Sequence, residues 1–126
     1  MSKILVIDDD AQVLKVLVSY LEKGRHEITT ASNGKEGIQL LVSQRFDLVI
    51  TDIIMPEEDG IEVLLWLRKT PNRPKIIAIS GGSASLDQEY LLNLADKLAA
   101  DKVLPKPVDF TTLTNAVRDL LEDRTI

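Results

Sequence analysis

The chain contains no cysteine. That excludes a disulfide framework and any thiolate-ligated metal, and it suits a reducing compartment. It also lacks any run of Lys and Arg, and its formal net charge is −5. Neutralising a nucleic-acid backbone needs clustered cations, so no nucleic acid is expected to bind through this domain. No apolar stretch approaches the length that crosses a bilayer, and Met1-Ser2-Lys3-Ile4 leads into a strand pattern rather than a secretory signal. A cytoplasmic location without membrane attachment is the expectation.

What is present has a globular balance. The 126 residues, 44% hydrophobic and 28% charged, fit one domain, read here as residues 1–126, and argue against long disorder. Three short apolar runs rich in β-branched residues, 4–7, 48–50 and 76–79, have the character of parallel strands covered on both faces. Two weaker runs, 27–31 and 102–104, are partly polar or followed by Pro105, which marks edge strands.

Helical spacing fills the intervals. Val13, Leu14, Leu17, Val18 and Leu21 share one face, and Gly24 follows as a stop. Asn33 with Glu36 three residues on forms a capping box ahead of Ile38, Leu41 and Val42. A third helix runs over about residues 58–69 through Ile61, Leu64 and Leu65 and ends before Pro71. Ser85 and Gln88 cap a fourth whose face is Tyr90, Leu91, Leu94, Ala95 and Leu98. Asp109 caps a fifth through Phe110, Leu113, Val117, Leu120 and Leu121. Strict β-α alternation with right-handed crossovers predicts a three-layer α/β/α sandwich of five strands and five helices. With runs one, three and four fully apolar and two and five edge-like, the parallel sheet takes the flavodoxin-like order 2-1-3-4-5.

Ligands of such a sheet bind outside the carboxyl ends of its strands. The residues there are polar: Asp8-Asp9-Asp10 after the first run, Thr51-Asp52 after the third, Ser80-Gly81-Gly82 after the fourth, and Pro105-Lys106-Pro107 after the fifth. Carboxylates that converge resist ionising together unless a cation joins them. Mg²⁺, held by one or two carboxylates plus phosphate oxygens, suits Asp9 and Asp52. A lysine supplies a compact charge for a phosphoryl oxygen, a serine a hydrogen bond, and a carboxylate is itself a competent nucleophile that forms an acyl phosphate.

Taken in order, Ile4-Leu5-Val6-Ile7-Asp8-Asp9-Asp10, Asp47-Leu48-Val49-Ile50-Thr51-Asp52-Ile53-Ile54-Met55-Pro56 with Gly60, Ile79-Ser80 and Lys106-Pro107 resemble the receiver domain of bacterial two-component response regulators. The resemblance covers essentially the whole chain. It implies that Asp52 is the phosphoryl acceptor, that Asp9 ligates Mg²⁺ directly and Asp8 through water, and that the Ile54 backbone carbonyl is a further ligand. Mn²⁺ is an alternative metal. Ser80 and Lys106 become the switch and catalytic residues, and Lys106-Pro107 a cis-peptide candidate.

The same resemblance implies a phosphohistidine donor on a sensor histidine kinase or histidine phosphotransfer protein. It also implies an unidentified downstream target, a phosphorylation-dependent dimer, and an output surface made by the strand-four loop, helix four and strand five. The domain would catalyse only its own phosphorylation and dephosphorylation.

Departures from the family pattern are specific. Val103 stands where Tyr or Phe is usual, so a rotating aromatic cannot be the switch there. The stretch from Ser80 to Lys106 is longer than usual and opens with Gly81-Gly82-Ser83-Ala84-Ser85, and Gly82 offers no side chain to shield an acyl phosphate.

Simpler readings exist for each residue. Asp8 to Asp10 suit the positive end of a helix dipole. Ser80 alone is a turn residue, Lys106 alone a surface lysine, His26 a lone structural histidine and Trp66 a packing residue. Three rival readings compete with this one. A haloacid-dehalogenase-type phosphatase would use Asp8 and Asp10 but leaves Asp52 unexplained and has Gln12 where Thr or Val is expected. A flavin binder would need a phosphate loop where three negative charges stand, and a degenerate receiver would be missing acidic residues that this chain retains.

Overall fold

In the computed structural model, residues 2–53, 59–80 and 100–122 are described. The elements are β1 (Ser2–Ile7), α1 (Ala11–Leu21), β2 (His26–Ala31), α2 (Gly34–Ser43), β3 (Leu48–Asp52), α3 (Asp59–Arg68), β4 (Lys75–Ser80), β5 (Lys102–Pro105) and the C-terminal helix α4 (Phe110–Glu122). The predicted helix with the face Tyr90 to Leu98 lies outside the described residues, so four helices are described where five were expected.

All five strands are parallel, in the order β2-β1-β3-β4-β5. Strands β1, β3 and β4, buried along the continuous apolar runs 4–7, 48–50 and 76–79, lie inside the sheet, and β2 and β5 take the edges. Alternation within each strand divides the core in two. Leu5, Ile7, Val49, Ile76 and Ala78 face a cluster completed by Val63, Leu64 and Leu67 of α3. Ile4, Val6, Leu48, Ile50, Ile77 and Ile79 face the other, with Leu17 and Leu21 of α1 and Leu113, Val117 and Leu120 of α4. The helices therefore cover both faces, as right-handed crossovers require.

Helix starts are fixed by side chains. Asp10 Oδ1 accepts from the N–H groups of Gln12 at 2.9 Å and Val13 at 3.4 Å. Asn33 Oδ1 accepts from Glu36 N–H at 2.8 Å, while the Glu36 carboxylate accepts from the Ser32 hydroxyl at 3.1 Å. Asp109 accepts from both the N–H and the hydroxyl of Thr112, at 2.7 and 2.9 Å. Two further acids hold the starts of strands: Asp47 Oδ2 accepts from Lys3 N–H and Asp101 Oδ2 from Ile76 N–H, each at 2.8 Å. Each of these Asp and Asn side chains accepts from a backbone donor near an element end that would otherwise be orphaned.

Gly24 follows the end of α1 at Leu21 as expected, without a positive φ. A Cβ there would lie 2.7 Å from His26 Nε2, the far end of a side chain. Two local expectations are corrected. Val42 is 70% exposed rather than part of the buried face of α2. That helix approaches the sheet through Gly37, where a Cβ would collide with Ile7 Cδ1, and the small residue turns the apolar stripe so that Ile38, Leu40 and Leu41 meet the core. Phe110 is 38% exposed and packs edge-on against Tyr20 at 5.5 Å rather than into the core.

Candidate functional site

The sheet order places the ends of β1 and β3 side by side, with β4 next to β3 and β5 next to β4. Ile7 pairs with Thr51 in register, so Asp8 and Asp52 leave adjacent strands at the same level. Asp8 is fully buried and Asp52 is 3% exposed, whereas Asp9 faces solvent. One carboxylate oxygen from each of Asp8, Asp9 and Asp52 lies within 4.8 Å of the other two.

Lys106, carried by the loop after β5, reaches across the strand ends to this cluster. Its Nζ donates to Asp52 Oδ2 at 2.9 Å and forms an ion pair with Asp8 Oδ2 at 3.0 Å. Burial alone would lower the proton affinity of this ammonium. The hydrogen bond to Asp52 and the negative charges of Asp52 and Asp8 outweigh that effect and hold its pKa above the ordinary lysine value. Its side chain is 22% exposed, so these charges meet in a partly dried environment where they couple strongly.

Asp8 divides its oxygens between two tasks. Oδ1 accepts from Asp10 N–H at 2.9 Å, which fixes the turn into α1. Oδ2 is buried and accepts no well-directed hydrogen bond, meeting Lys106 only as an ion pair. Three carboxylates against one ammonium leave a formal excess of two negative charges. A buried, undersatisfied acidic oxygen beside two all-oxygen donors is the donor set of a hard divalent cation, so the residues present fit Mg²⁺.

Asp10 takes no part in the cluster, because its carboxylate caps α1. The simple capping reading thus holds for Asp10, while Asp8 and Asp9 join Asp52. This also removes the second acid on which the phosphatase reading depends. Ile54 lies outside the described residues, as does the side chain of Ser80, whose backbone ends β4 opposite Pro105. The Lys106-Pro107 peptide is cis. Val103 is partly buried against the α3-side core and pairs with Ala78.

Two supporting residues carried no assigned role in the sequence. Thr51 is buried, and its hydroxyl donates to the Asp52 carbonyl at 3.1 Å; a lone polar residue inside an apolar strand is the signal for it. Gly60 at the start of α3 packs on the backbone of the acceptor strand. A Cβ there would collide with the Asp52 carbonyl oxygen and stand 2.5 Å from that of Ile53. Nothing local in the sequence shows that contact, which forms through space.

A parallel 2-1-3-4-5 sheet bearing a buried carboxylate cluster and a lysine at the carboxyl ends of its strands defines a flavodoxin-like domain with a cation-seeking acidic site. The family is more specific than the fold. A model of the response regulator receiver domain matches residues 4–118, and the chain belongs to that family.

Among its relatives, the transcriptional regulatory protein CpxR homolog of Haemophilus influenzae is 36% identical over 121 residues, covering 96% of this chain and 51% of that protein. GlrR of Escherichia coli is 34% identical over 125 residues, covering 94% of this chain and 26% of its own length. The chain thus spans about half the length of the CpxR-type relatives. Of solved structures, the Thermotoga maritima response regulator TrrA in complex with Mg²⁺-BeF superposes with a TM-score of 0.82 at 36% identity, covering 96% of this chain and all of that one (100%). The receiver domain of Francisella response regulator 1452 gives 0.86 at 29% identity, with 98% of each chain covered. The chain is accordingly a signalling domain of two-component phosphorelays rather than a turnover enzyme. Among the described residues no helix is long and apolar enough to cross a membrane.

Proposed function

We propose that Asp52 is the phosphoryl acceptor of this receiver, and that the domain spans residues 1–126 with a fifth helix in the Tyr90 to Leu98 segment. The observation that carries the assignment is the convergence of Asp8, Asp9 and Asp52 on one point, with Lys106 Nζ 2.9 Å from the Asp52 carboxylate. A carboxylate oxygen of Asp52 attacks the phosphorus of a phosphohistidine. The phosphorus–nitrogen bond breaks, the imidazole leaves, and an acyl phosphate forms on Asp52. Lys106 holds one phosphoryl oxygen by charge and hydrogen bond, which serves positioning as well as neutralisation.

Asp9 and Asp52 would hold Mg²⁺ directly, Asp8 through water, and the Ile54 carbonyl would complete the set; Mn²⁺ is an alternative. Bound there, the ion supplies charge neutralisation at the phosphoryl oxygens. Water returns the acceptor to the free carboxylate, so the domain catalyses its own phosphorylation and dephosphorylation.

Ser80 and Lys106 transmit the modification to a surface formed by residues 81–99 and β5. With Val103 in β5, that response proceeds without an aromatic rotor. The donor is a sensor histidine kinase or histidine phosphotransfer protein. The output is a downstream effector reached from a cytoplasmic domain, with dimerisation following phosphorylation.

The test is intact mass after incubation with Mg²⁺ and a small-molecule phosphodonor. One labile phosphoryl adduct is expected on the native chain, and none with chelator or in Asp52→Asn. An adduct that survives in Asp52→Asn places the acceptor elsewhere.

A further inference from the structure

The amino ends of the strands carry a second charged feature, of opposite sign to the site just described. A cleft of about 200 Å³ opens between the starts of β3 and β4, lined by Arg45, Phe46, Asp47, Arg73 and Lys75 among others. Asn72, the one described non-glycine residue with positive φ, at 54°, turns the chain between α3 and β4 and delivers Arg73 to this rim. Lys3 adds a fourth cation: its Nζ lies 5.5 Å from the centroid of the Phe46 ring and donates to Gln44 Oε1 at 3.1 Å.

Against the three cations of its lining and the neighbouring Lys3, the cleft lining holds one carboxylate, Asp47, whose Oδ2 already accepts from Lys3 N–H at 2.8 Å. Among the described residues none of Lys3, Arg45, Arg73 and Lys75 forms an ion pair. On a chain of net charge −5, a concave patch with a surplus of cations is a local reversal of the overall field. Two guanidinium groups at its mouth present planar forks suited to carboxylates.

We infer that this cleft is a docking surface for an acidic peptide segment, a run of Asp and Glu exposed on a partner protein. Charge complementarity argues for that occupant, and size argues against others. About 200 Å³ is below the range of pockets that enclose a nucleotide-sized ligand. Three cations lining one cleft, with Lys3 beside it, are not the extended stripe that tracks a nucleic-acid backbone. The Phe46 ring in the lining and the aliphatic stems of Arg and Lys supply apolar contact beside the charges. The surface lies at the opposite end of the sheet from Asp52, so a partner held here leaves the acceptor open to a phosphodonor.

The experiment is fluorescence anisotropy of a labelled peptide of alternating Glu and Asp, titrated with the 126-residue chain. Saturable binding that weakens with added NaCl is expected. The double variant Arg45→Glu/Arg73→Glu should bind roughly tenfold more weakly. Lys23→Glu/Arg118→Glu changes the net charge equally at another part of the surface and should bind as the native chain does. Circular dichroism checks that each variant is folded, and Arg45→Gln/Arg73→Gln replaces the first double should it fail. Equal losses in both doubles would reduce the effect to net charge and overturn the inference. So would an absence of binding, or tighter binding of a labelled DNA duplex than of the peptide.

Discussion

The two ends of the sheet hold opposite charges under opposite conditions. At the carboxyl rim, Asp8 and Asp52 are buried and share one ammonium, so each charge feels the others through a medium of low dielectric. At the amino rim, Arg45 and Arg73 stand in water and Lys75 is half-buried, and no ion pair ties them together among the described residues. The first arrangement is a coupled unit in which the ammonium cannot be removed without leaving two buried carboxylates unneutralised. The second is additive and screened, able to attract a partner without shaping the fold. Where charges are buried matters more here than how many there are.

The largest expected effect tests that coupling. Lys106→Ala leaves two buried carboxylates facing each other, and breaking such a pair costs about 3 kcal/mol or more of unfolding free energy. Urea unfolding in chelator measures it, and Mg²⁺ should narrow the gap to the native chain by restoring a cation to the cluster. Arg45→Ala at the other rim should stay within about 0.5 kcal/mol of native. Similar losses in the two variants would dissolve the distinction. Next in size is Gly60→Ala, whose new Cβ must displace the backbone that carries Asp52. Overpacking of this kind costs about 1 to 3 kcal/mol. The same variant should slow adduct formation in the mass assay, because the acceptor strand shifts with it. Smaller again is Asn33→Ala, which removes the bond to Glu36 N–H at the start of α2. A lost cap is worth about 1 kcal/mol, read from the urea midpoint.

The strand order and the acidic cluster were legible in the sequence for a shared reason. Continuous apolar runs announce strands buried on both faces, and a parallel sheet gathers whatever follows those runs to one rim. The pattern of runs therefore suffices to bring Asp8, Asp9, Asp52 and Lys106 to one rim. What escaped depends on contacts between segments distant in sequence. Gly60 reads as a turn glycine until its approach to the Asp52 and Ile53 carbonyls is seen. Asp10 is the local exception: its carboxylate turns back to the N–H groups of Gln12 and Val13, two and three residues on. Val42 has the spacing of a buried residue, but Gly37 lets α2 sit against Ile7 and rotates Val42 into solvent. The amino-rim cleft is invisible for the same reason, since Lys3, Arg45 and Arg73 are far apart in the chain.

The smallest effect qualifies the picture of an electrostatically passive amino rim. His26 begins β2 beside Gly24, in a cleft shared with Lys23, Arg118 and Glu122, and its Nδ1 is buried without a hydrogen-bond partner. Burial lowers its pKa from 6.5, so near and below that value the unfolded chain binds more protons than the folded one. Stability should therefore fall as pH drops through the unfolded-state pKa, and the loss should level off once the folded-state pKa is passed. His26→Gln removes this term while leaving every carboxylate in place. Thermal unfolding followed from about pH 8 to about pH 5.5 should show a shallower decline in the variant than in the native chain. Parallel declines would mean that His26 ionises alike in both states, and the contrast between a coupled carboxyl rim and an uncoupled amino rim would then extend to this residue as well.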